Sequence, residues 1–142
     1  MAETPNIEAT KGFLNAQRDD GFDRAMIGYV HPDFRFVVSS ANNDELRALI
    51  PWAGYEHKGC EGYKRLRALV FSEYQSLAFE VTRFTDAGDQ VFVEGHFRLR
   101  HRETAKIADS DFIVRFEMKD GRIVRGQMYE NTAAVAEARR AD

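Results

Sequence analysis

The sequence predicts an α+β protein in which a long, curved antiparallel sheet carries helices on one face. Residues 77–130 contain successive runs of alternating apolar and polar residues, and turn sequences at 86–89 and 119–122 separate them. The first half of the chain instead places apolar residues at helical spacing. Because helices lying on a curved sheet leave a hollow beneath them, we expect a ligand to bind between the two layers.

Composition is typical of one globular domain spanning residues 1–142. Hydrophobic residues make up 44% of the chain and charged residues 30%, and the eleven Phe and five Tyr are suited to filling wide spaces and lining pockets. The net charge of −3 argues against binding to nucleic acid or to anionic membranes.

The sequence predicts neither a signal peptide nor a membrane-spanning segment. Cys60 is the single cysteine, so no intrachain disulfide is possible, which fits a reducing compartment. The first residues have neither the basic flank nor the apolar run of a signal peptide, and no apolar stretch approaches the roughly 18 residues that span a bilayer. We therefore predict a cytoplasmic protein.

Helices are expected at three main places in the first half. Thr4 is a predicted N-cap with proline following it, and the first helix should run to about Arg18, where the sequence Asp-Asp-Gly breaks it. A second helix should cover 22–30 and stop before Pro32. A third should cover 61–74, and a short amphipathic helix is possible over 44–50.

The strands are expected at 34–38 and then in succession from residue 77 onwards. Alternation assigns Val93, Phe97 and Leu99 to the inner face of one strand, and Phe112 with its i±2 neighbours to the inner face of the next. Gly126, on the last strand, either enlarges the cavity or marks a bend.

Several short motifs and their order resemble the NTF2-like superfamily, within it the SnoaL-like and ketosteroid-isomerase-like branch. They are Asp-Gly-Phe-Asp at 20–23, His-Pro-Asp-Phe at 31–34, Pro-Trp-Ala-Gly-Tyr-Glu-His-Lys-Gly at 51–59 and Asp-Gly-Arg-Ile-Val-Arg at 120–125. The resemblance implies a cone-shaped barrel, with three helices on the concave face of the sheet and a deep apolar pocket. It also implies a homodimer formed through the outer face of the sheet.

The resemblance permits a residue-level test of steroid isomerisation. Ketosteroid isomerases use a tyrosine, an aspartate base and an acidic hydrogen-bond donor, and matching the motifs puts Leu14, Val38 and Phe112 at those positions. Apolar side chains can neither transfer a proton nor stabilise an oxyanion, which argues against this reaction. SnoaL-like cyclases carry an inward aspartate on the strand of Phe112. A one-residue slip, caused by a bulge near the following hairpin, would turn Asp111 inward instead.

The candidate catalytic residues are therefore Asp111 as a base and His101 as its assistant. Asp109 and Asp111 lie on one strand face, which is either the pocket face or an exposed outer face. His101 shares the parity of Phe97, so it could reach the pocket, or it could be a surface residue at the strand end.

Candidate ligand-binding residues come from the loop before the third helix and from inward strand positions. Trp52, Tyr55 and His57 could roof the pocket, or Trp52 could plug the core beneath the loop. Glu130 has inward parity but ends its strand, where it could be solvated. The predicted ligand-binding set is Phe36, Trp52, Tyr55, His57, Phe79, Phe97, Phe112, Met128 and Glu130.

No metal or other cofactor is expected, because the four histidines show no metal-ligand spacing. The arginines at 98, 100 and 102 are interpreted as a solvated or dimer-facing stripe, not as a nucleic-acid surface. The first hypothesis is a homodimer that binds a small molecule in its pocket. If the protein is an enzyme, we expect it to catalyse an acid–base reaction of a largely apolar, aromatic or polyketide-like molecule. The alternatives are a non-catalytic binding module and a structural dimer whose pocket is filled by its own side chains.

Overall fold

A computed structural model describes residues 3–17 and 22–141 of the chain. The elements in these residues, in chain order, are α1 (Pro5–Ala16), α2 (Phe22–Tyr29), β1 (Val30–Val38), α3 (Asp44–Leu49), β2 (Glu56–Lys58), α4 (Gly59–Glu73), β3 (Tyr74–Asp86), β4 (Gln90–His101), β5 (Ile107–Lys119), β6 (Arg122–Glu130) and α5 (Thr132–Ala138). The predicted α+β class is confirmed. The predicted end of the first helix at Arg18 and the break after it lie outside the described residues.

The six strands form one curved, open sheet in the order β2-β1-β6-β5-β4-β3. Every neighbouring pair is antiparallel except β1 and β6, which run parallel, with Phe36 opposite Gly126. A parallel pair needs a long crossover connection, and here the chain from α3 to β5 supplies it. Since β2 and β3 are the two edges, the sheet does not close into a complete barrel.

The first long strand begins four residues earlier than the sequence indicates. β1 starts at Val30 rather than at Phe34, and Pro32 lies between two separate stretches of pairing with β6. Val30 pairs with Ile123, and the register shifts before pairing resumes at Arg35. A proline cannot donate a ladder hydrogen bond, so it is tolerated at such an irregularity.

Side-chain capping sets the starts of α1 and α5. The Thr4 hydroxyl accepts a hydrogen bond from the Ile7 N–H at 3.3 Å, and Pro5 occupies the first position of α1, as the sequence predicted. Asn131 accepts in the same way from the Ala134 N–H at 3.2 Å and starts α5 directly after the last strand. Consequently, α5 is positioned at the end of β6.

The closed end of the molecule is an aromatic cluster. Phe13 of α1 is fully buried, with ring centroids 5.8 Å from Phe34 and Phe116 and 5.4 Å from Tyr63 of α4. Such tilted and edge-to-face pairs bury large apolar areas. They join α1, α4 and the concave face of the sheet at this end.

Gly126 does not enlarge the interior. A Cβ placed on Gly126 would lie 2.6 Å from the ring of Phe36 and 3.1 Å from that of Phe116. The missing side chain is therefore replaced by the Phe36 ring from the parallel neighbouring strand, and the expectation of added cavity space at this position is wrong.

Candidate functional site

A cavity of about 660 Å³ lies between the concave face of the sheet and helices α1, α4 and α5. Phe36, Phe97, Leu99, Val114, Phe116 and Met128 line its sheet wall. Leu14, Tyr63, Leu66, Val70 and Val135 line its helical wall. The interior is thus not filled by the protein's own side chains, which argues against the alternative of a purely structural dimer.

The mouth of this cavity opens between the helices and the edge strand β3. The lining residues that are exposed to solvent belong to α1, α4 and β3, namely Asn15, Phe71, Ser76 and Phe79. Phe79 is 46% exposed and Phe71 is 38% exposed. Lining residues of β1 and β5 are buried, so the opposite wall is the floor.

Glu130 is the single carboxylate among the described residues that line the cavity. It ends β6 directly opposite Phe112 of β5, which turns its side chain towards the interior. Burial raises the pKa of the Glu130 carboxyl to about 7. In the part of the chain that the structure describes, no hydrogen bond or ion pair involves this carboxyl.

Two cationic side chains line the cavity from the helices. The Lys11 ammonium of α1 is 5.1 Å from the ring centroid of Phe84 and also pairs with Glu3. The Arg67 guanidinium of α4 lies 5.3 Å from the ring centroid of Phe71, and its Nη1 donates to the Gln17 carbonyl at 3.4 Å. Positive charge is therefore placed on the helical wall.

Asp111 does not face the cavity, and this prediction is wrong. Its side chain is 94% exposed on the outer face, where an oxygen lies 2.8 Å from Nδ1 of His96. The register of β4 and β5 pairs these two residues directly, and a bulge does occur near the following hairpin. The extra residue of that bulge is Val124 on β6, so the alternation of β5 is undisturbed and Phe112 stays inward.

The outer face instead carries a small charged cluster. The ring of His96 contacts Asp109 through Nε2 and Asp111 through Nδ1, both at 2.8 Å, and Arg98 approaches Asp109 at 3.5 Å. The hydrogen bond that His96 donates to Asp111 is the main reason why the pKa of His96 is raised. Asp109 and Asp111 therefore lie on the exposed outer face of the sheet, which was one of the two alternatives for this pair.

His101 is neither a pocket residue nor a surface residue. It is buried, and its Nε2 lies 3.2 Å from Glu73 Oε1, while its Nδ1 accepts a hydrogen bond from the Thr104 N–H at 3.3 Å. The proton therefore lies on Nε2, which donates to Glu73. Arg139 donates to the same carboxylate through Nε at 2.7 Å. The predicted pair of Asp111 and His101 is not brought together.

The roof residues divide between two cavities. Trp52 is buried, lines the large cavity and packs edge-on against Tyr74 at 6.0 Å, so it is both roof and core plug. Tyr55 and His57 line a separate cavity of about 260 Å³ beside α4. The His57 Nε2 is 2.7 Å from the Trp52 carbonyl, and burial lowers the pKa of His57. Their assignment to the main pocket is wrong, because neither residue lines it and His57 belongs to β2, the edge strand beyond β1.

Phe112 supports the wall without lining it. The centroid of its ring lies 5.0 Å from that of Phe79 and 6.2 Å from that of Phe97, and both of these stacked rings line the cavity. Of the predicted ligand-binding residues, six line the cavity: Phe36, Trp52, Phe79, Phe97, Met128 and Glu130.

The polar residues that α1 and α4 contribute to the cavity were not predicted from the sequence. Lys11, Gln17 and Arg67 line the cavity and were not among the candidates. A signal existed for Arg67, because it is four residues after Tyr63, and Tyr63, Leu66 and Val70 form the inward stripe of α4.

The described part of the chain shows no group of three or more His, Cys, Asp or Glu side chains able to hold a metal ion. None of the helices described here is long and apolar enough to cross a membrane.

Comparison with known structures defines the class of protein. An NTF2-like protein from Burkholderia xenovorans superposes with a TM-score of 0.79 at 19% identity, covering 99% of each chain. TerC, co-crystallised with polyporic acid, gives 0.77 at 24% identity over 95% of this chain and 98% of its own. A protein with a ketosteroid isomerase-like fold from Catenulispora acidiphila, in complex with trimethylamine, gives 0.64 at 16% identity over 86% and 84%. The chain has the NTF2-like fold.

The family itself follows from the sequence match. Residues 11–126, most of the chain, match the SnoaL-like domain family, so the protein belongs to that family. No curated protein matches the sequence significantly.

Proposed function

We propose that the protein binds a largely apolar small molecule in the cavity between the sheet and the helices. The observation that carries this proposal is the cavity itself, about 660 Å³ in volume, with aromatic and aliphatic side chains over most of its wall. Pockets for small organic ligands have volumes of roughly 300–1,000 Å³ and such a lining. The bound small molecules of TerC and of the Catenulispora protein support the same use of this fold.

A second candidate function is acid–base chemistry on that ligand, which the position of Glu130 favours. A carboxyl whose pKa lies at about 7 has both protonation states available near neutral pH, as a proton-transfer group requires. Glu130 takes the place of Asp111 in this proposal, because Asp111 is on the outer face. Steroid isomerisation is not proposed, since Leu14 and Val38 line the cavity where that reaction needs polar groups.

The outer face of the sheet is the proposed homodimer surface. Ile113 and Tyr129 are opposite each other on β5 and β6 and are 43% and 47% exposed. Adjacent exposed apolar side chains of this kind mark association surfaces. Light scattering of the wild type and of Ile113→Lys tests this, and a wild-type monomer at micromolar concentration would exclude it.

Thermal unfolding with a panel of apolar ligands tests the main proposal. Ligands that occupy the cavity raise the melting temperature of the wild type. Leu99→Trp fills the cavity from β4 and should abolish the shifts, whereas Arg100→Trp adds the same ring to the other face of that strand and should retain them. Equal shifts in both variants would show that ligands bind elsewhere, and turnover assays on the bound ligands then separate binding from catalysis.

A further inference from the structure

We infer that the ligand is an elongated aromatic acid, with a hydrogen-bond donor such as a phenolic hydroxyl at Glu130 and an anionic group at Lys11 and Arg67. This inference rests on the proposed ligand binding and adds the chemical class and orientation of the ligand.

The acidic and basic side chains that line the cavity come from different elements of the fold. Among the described lining residues, Glu130 supplies the acidic group and Lys11 and Arg67 the basic groups. Glu130 belongs to β6, and the two cations belong to α1 and α4. A ligand that satisfies both ends must therefore be polar at two places, with different polarity at each, and apolar between them.

The sheet register indicates how far apart these ends are. Glu130 on β6 lies in one cross-strand row with Phe112, Gly95 and Val81, and Val81 belongs to the edge strand β3. Three strand spacings separate β6 from β3, roughly 14 Å along the sheet, and curvature shortens the direct path. Because the Lys11 ammonium lies over Phe84 of β3, a ligand of two fused rings with substituents at opposite ends has a suitable length.

At the mouth, the two cations are presented on aromatic rings. Lys11 lies over Phe84 and Arg67 over Phe71, and these rings hold each charge beside the apolar opening. The ion pair of Lys11 with Glu3 is exposed, and exposed pairs of this kind contribute little free energy. An anionic ligand group can therefore replace Glu3 as a partner of Lys11 at small cost.

On the sheet wall, the half-buried carboxyl of Glu130 makes no hydrogen bond with the described residues, so a ligand group that donates to it would supply a hydrogen-bond partner inside the cavity. A phenolic hydroxyl can donate to the carboxylate. An ammonium ligand would also suit Glu130, but its charge repels Lys11 and Arg67 at the mouth. The cationic wall thus favours the acid over the amine.

A matched series of naphthalene ligands tests the inference by isothermal titration. The series is 6-hydroxy-2-naphthoate, 2-naphthoate, 2-naphthol and 2-naphthylmethylamine at pH 8. We expect 6-hydroxy-2-naphthoate to bind about tenfold more tightly than either singly substituted compound, and the amine to bind weakest.

Three variants assign each end of the ligand. Arg67→Met and Lys11→Met should each weaken both carboxylates about fivefold and leave 2-naphthol unchanged, whereas Glu130→Gln should weaken the two hydroxyl compounds and spare 2-naphthoate. Arg65→Met removes the same charge from α4 outside the main cavity and is the matched control. Circular dichroism and melting temperatures verify that each variant is folded.

The outcomes separate this inference from the proposed function. The inference is overturned, and the proposed ligand binding stands, if apolar ligands bind in the cavity but a carboxylate group does not increase their affinity. The same holds if Lys11→Met and Arg67→Met leave the affinity for naphthoate unchanged. Tighter binding of the amine than of naphthoate overturns it as well. If no compound of either panel binds to folded protein, the proposed function fails and the inference fails with it.

Discussion

The ring of Phe112 on β5 lies over Gly95 on β4, in the space that a side chain at Gly95 would occupy. A Cβ at that position would be 2.5 Å from the Phe112 ring. The same ring stacks against Phe79 and Phe97, which line the cavity. The absence of a side chain at Gly95 thus makes room for the Phe112 ring, on which the two cavity-lining rings stack.

Gly95→Ala should destabilise the protein, because the new methyl group overlaps the Phe112 ring and the backbone of β3. Overpacking of this kind costs about 1–3 kcal/mol, which urea denaturation measures. Gly28→Ala is the matched control, since nothing lies within 4 Å of its Cβ and it belongs to α2. That substitution should stabilise by about 0.5–1 kcal/mol through helix propensity. Similar effects of the two substitutions would contradict the packing described for Phe112.

The stability of the protein should depend on the protonation of Glu130. Burial raises the carboxyl pKa to about 7 in the folded state, while the unfolded chain has a value near 4.5. Between these values the folded state binds more protons, so this residue makes stability fall as the pH rises from about 4.5 to 7.

Glu130→Gln should remove this dependence. The variant should exceed the wild type in free energy of unfolding by up to about 3 kcal/mol at pH 8, and the difference should shrink towards pH 5. Urea denaturation at several pH values measures it. A constant difference across this range would mean that Glu130 titrates normally in the folded state.

Arg139 should hold α5 against the rest of the domain. Its guanidinium donates to both oxygens of Glu73 and to the Leu49 carbonyl. Burial alone raises the pKa of Glu73, but the hydrogen bonds from Arg139 and His101 outweigh burial and the pKa is lowered. Arg139→Met should therefore cost about 1–3 kcal/mol near neutral pH.

The pH dependence of that cost checks its origin. A lowered carboxyl pKa stabilises the folded state above the pKa of the unfolded group, and this contribution disappears as the pH falls through the folded value. The deficit of Arg139→Met should thus diminish in acid. Arg140→Met, which removes only an exposed pair with Glu137, should change stability by less than about 0.5 kcal/mol. Equal losses for both variants would exclude the Glu73 contact as the cause.

Asp111→Asn should affect His96 and leave the cavity unchanged. The hydrogen bond of Asp111 is the largest contribution that raises the pKa of His96, so the pKa should fall in the variant. NMR titration of the imidazole protons measures this change. Ligand binding and any turnover should be unaffected, because the Asp111 side chain is exposed on the far face of the sheet. Loss of ligand binding in folded Asp111→Asn would show that the site includes the outer face.

Local periodicity was enough to predict which residues share a face of a strand or helix. A two-residue period is a property of extended backbone, so Val93, Phe97 and Leu99 could be assigned to one face of their strand without coordinates. The helical stripe of α4 likewise followed from local spacing. Fold class and most of the cavity's sheet wall were predictable on this basis.

The way in which those faces meet depends on pairing between segments that are distant in the chain. The bulge near the last hairpin could belong to either strand, and pairing between distant segments places its extra residue on β6, which leaves Asp111 outside. The parallel pairing of β1 with β6 and the approach of Lys11 and Arg67 to the cavity depend on contacts far apart in sequence. Local periodicity carries no information about such contacts, because it specifies the side of an element and not its neighbour.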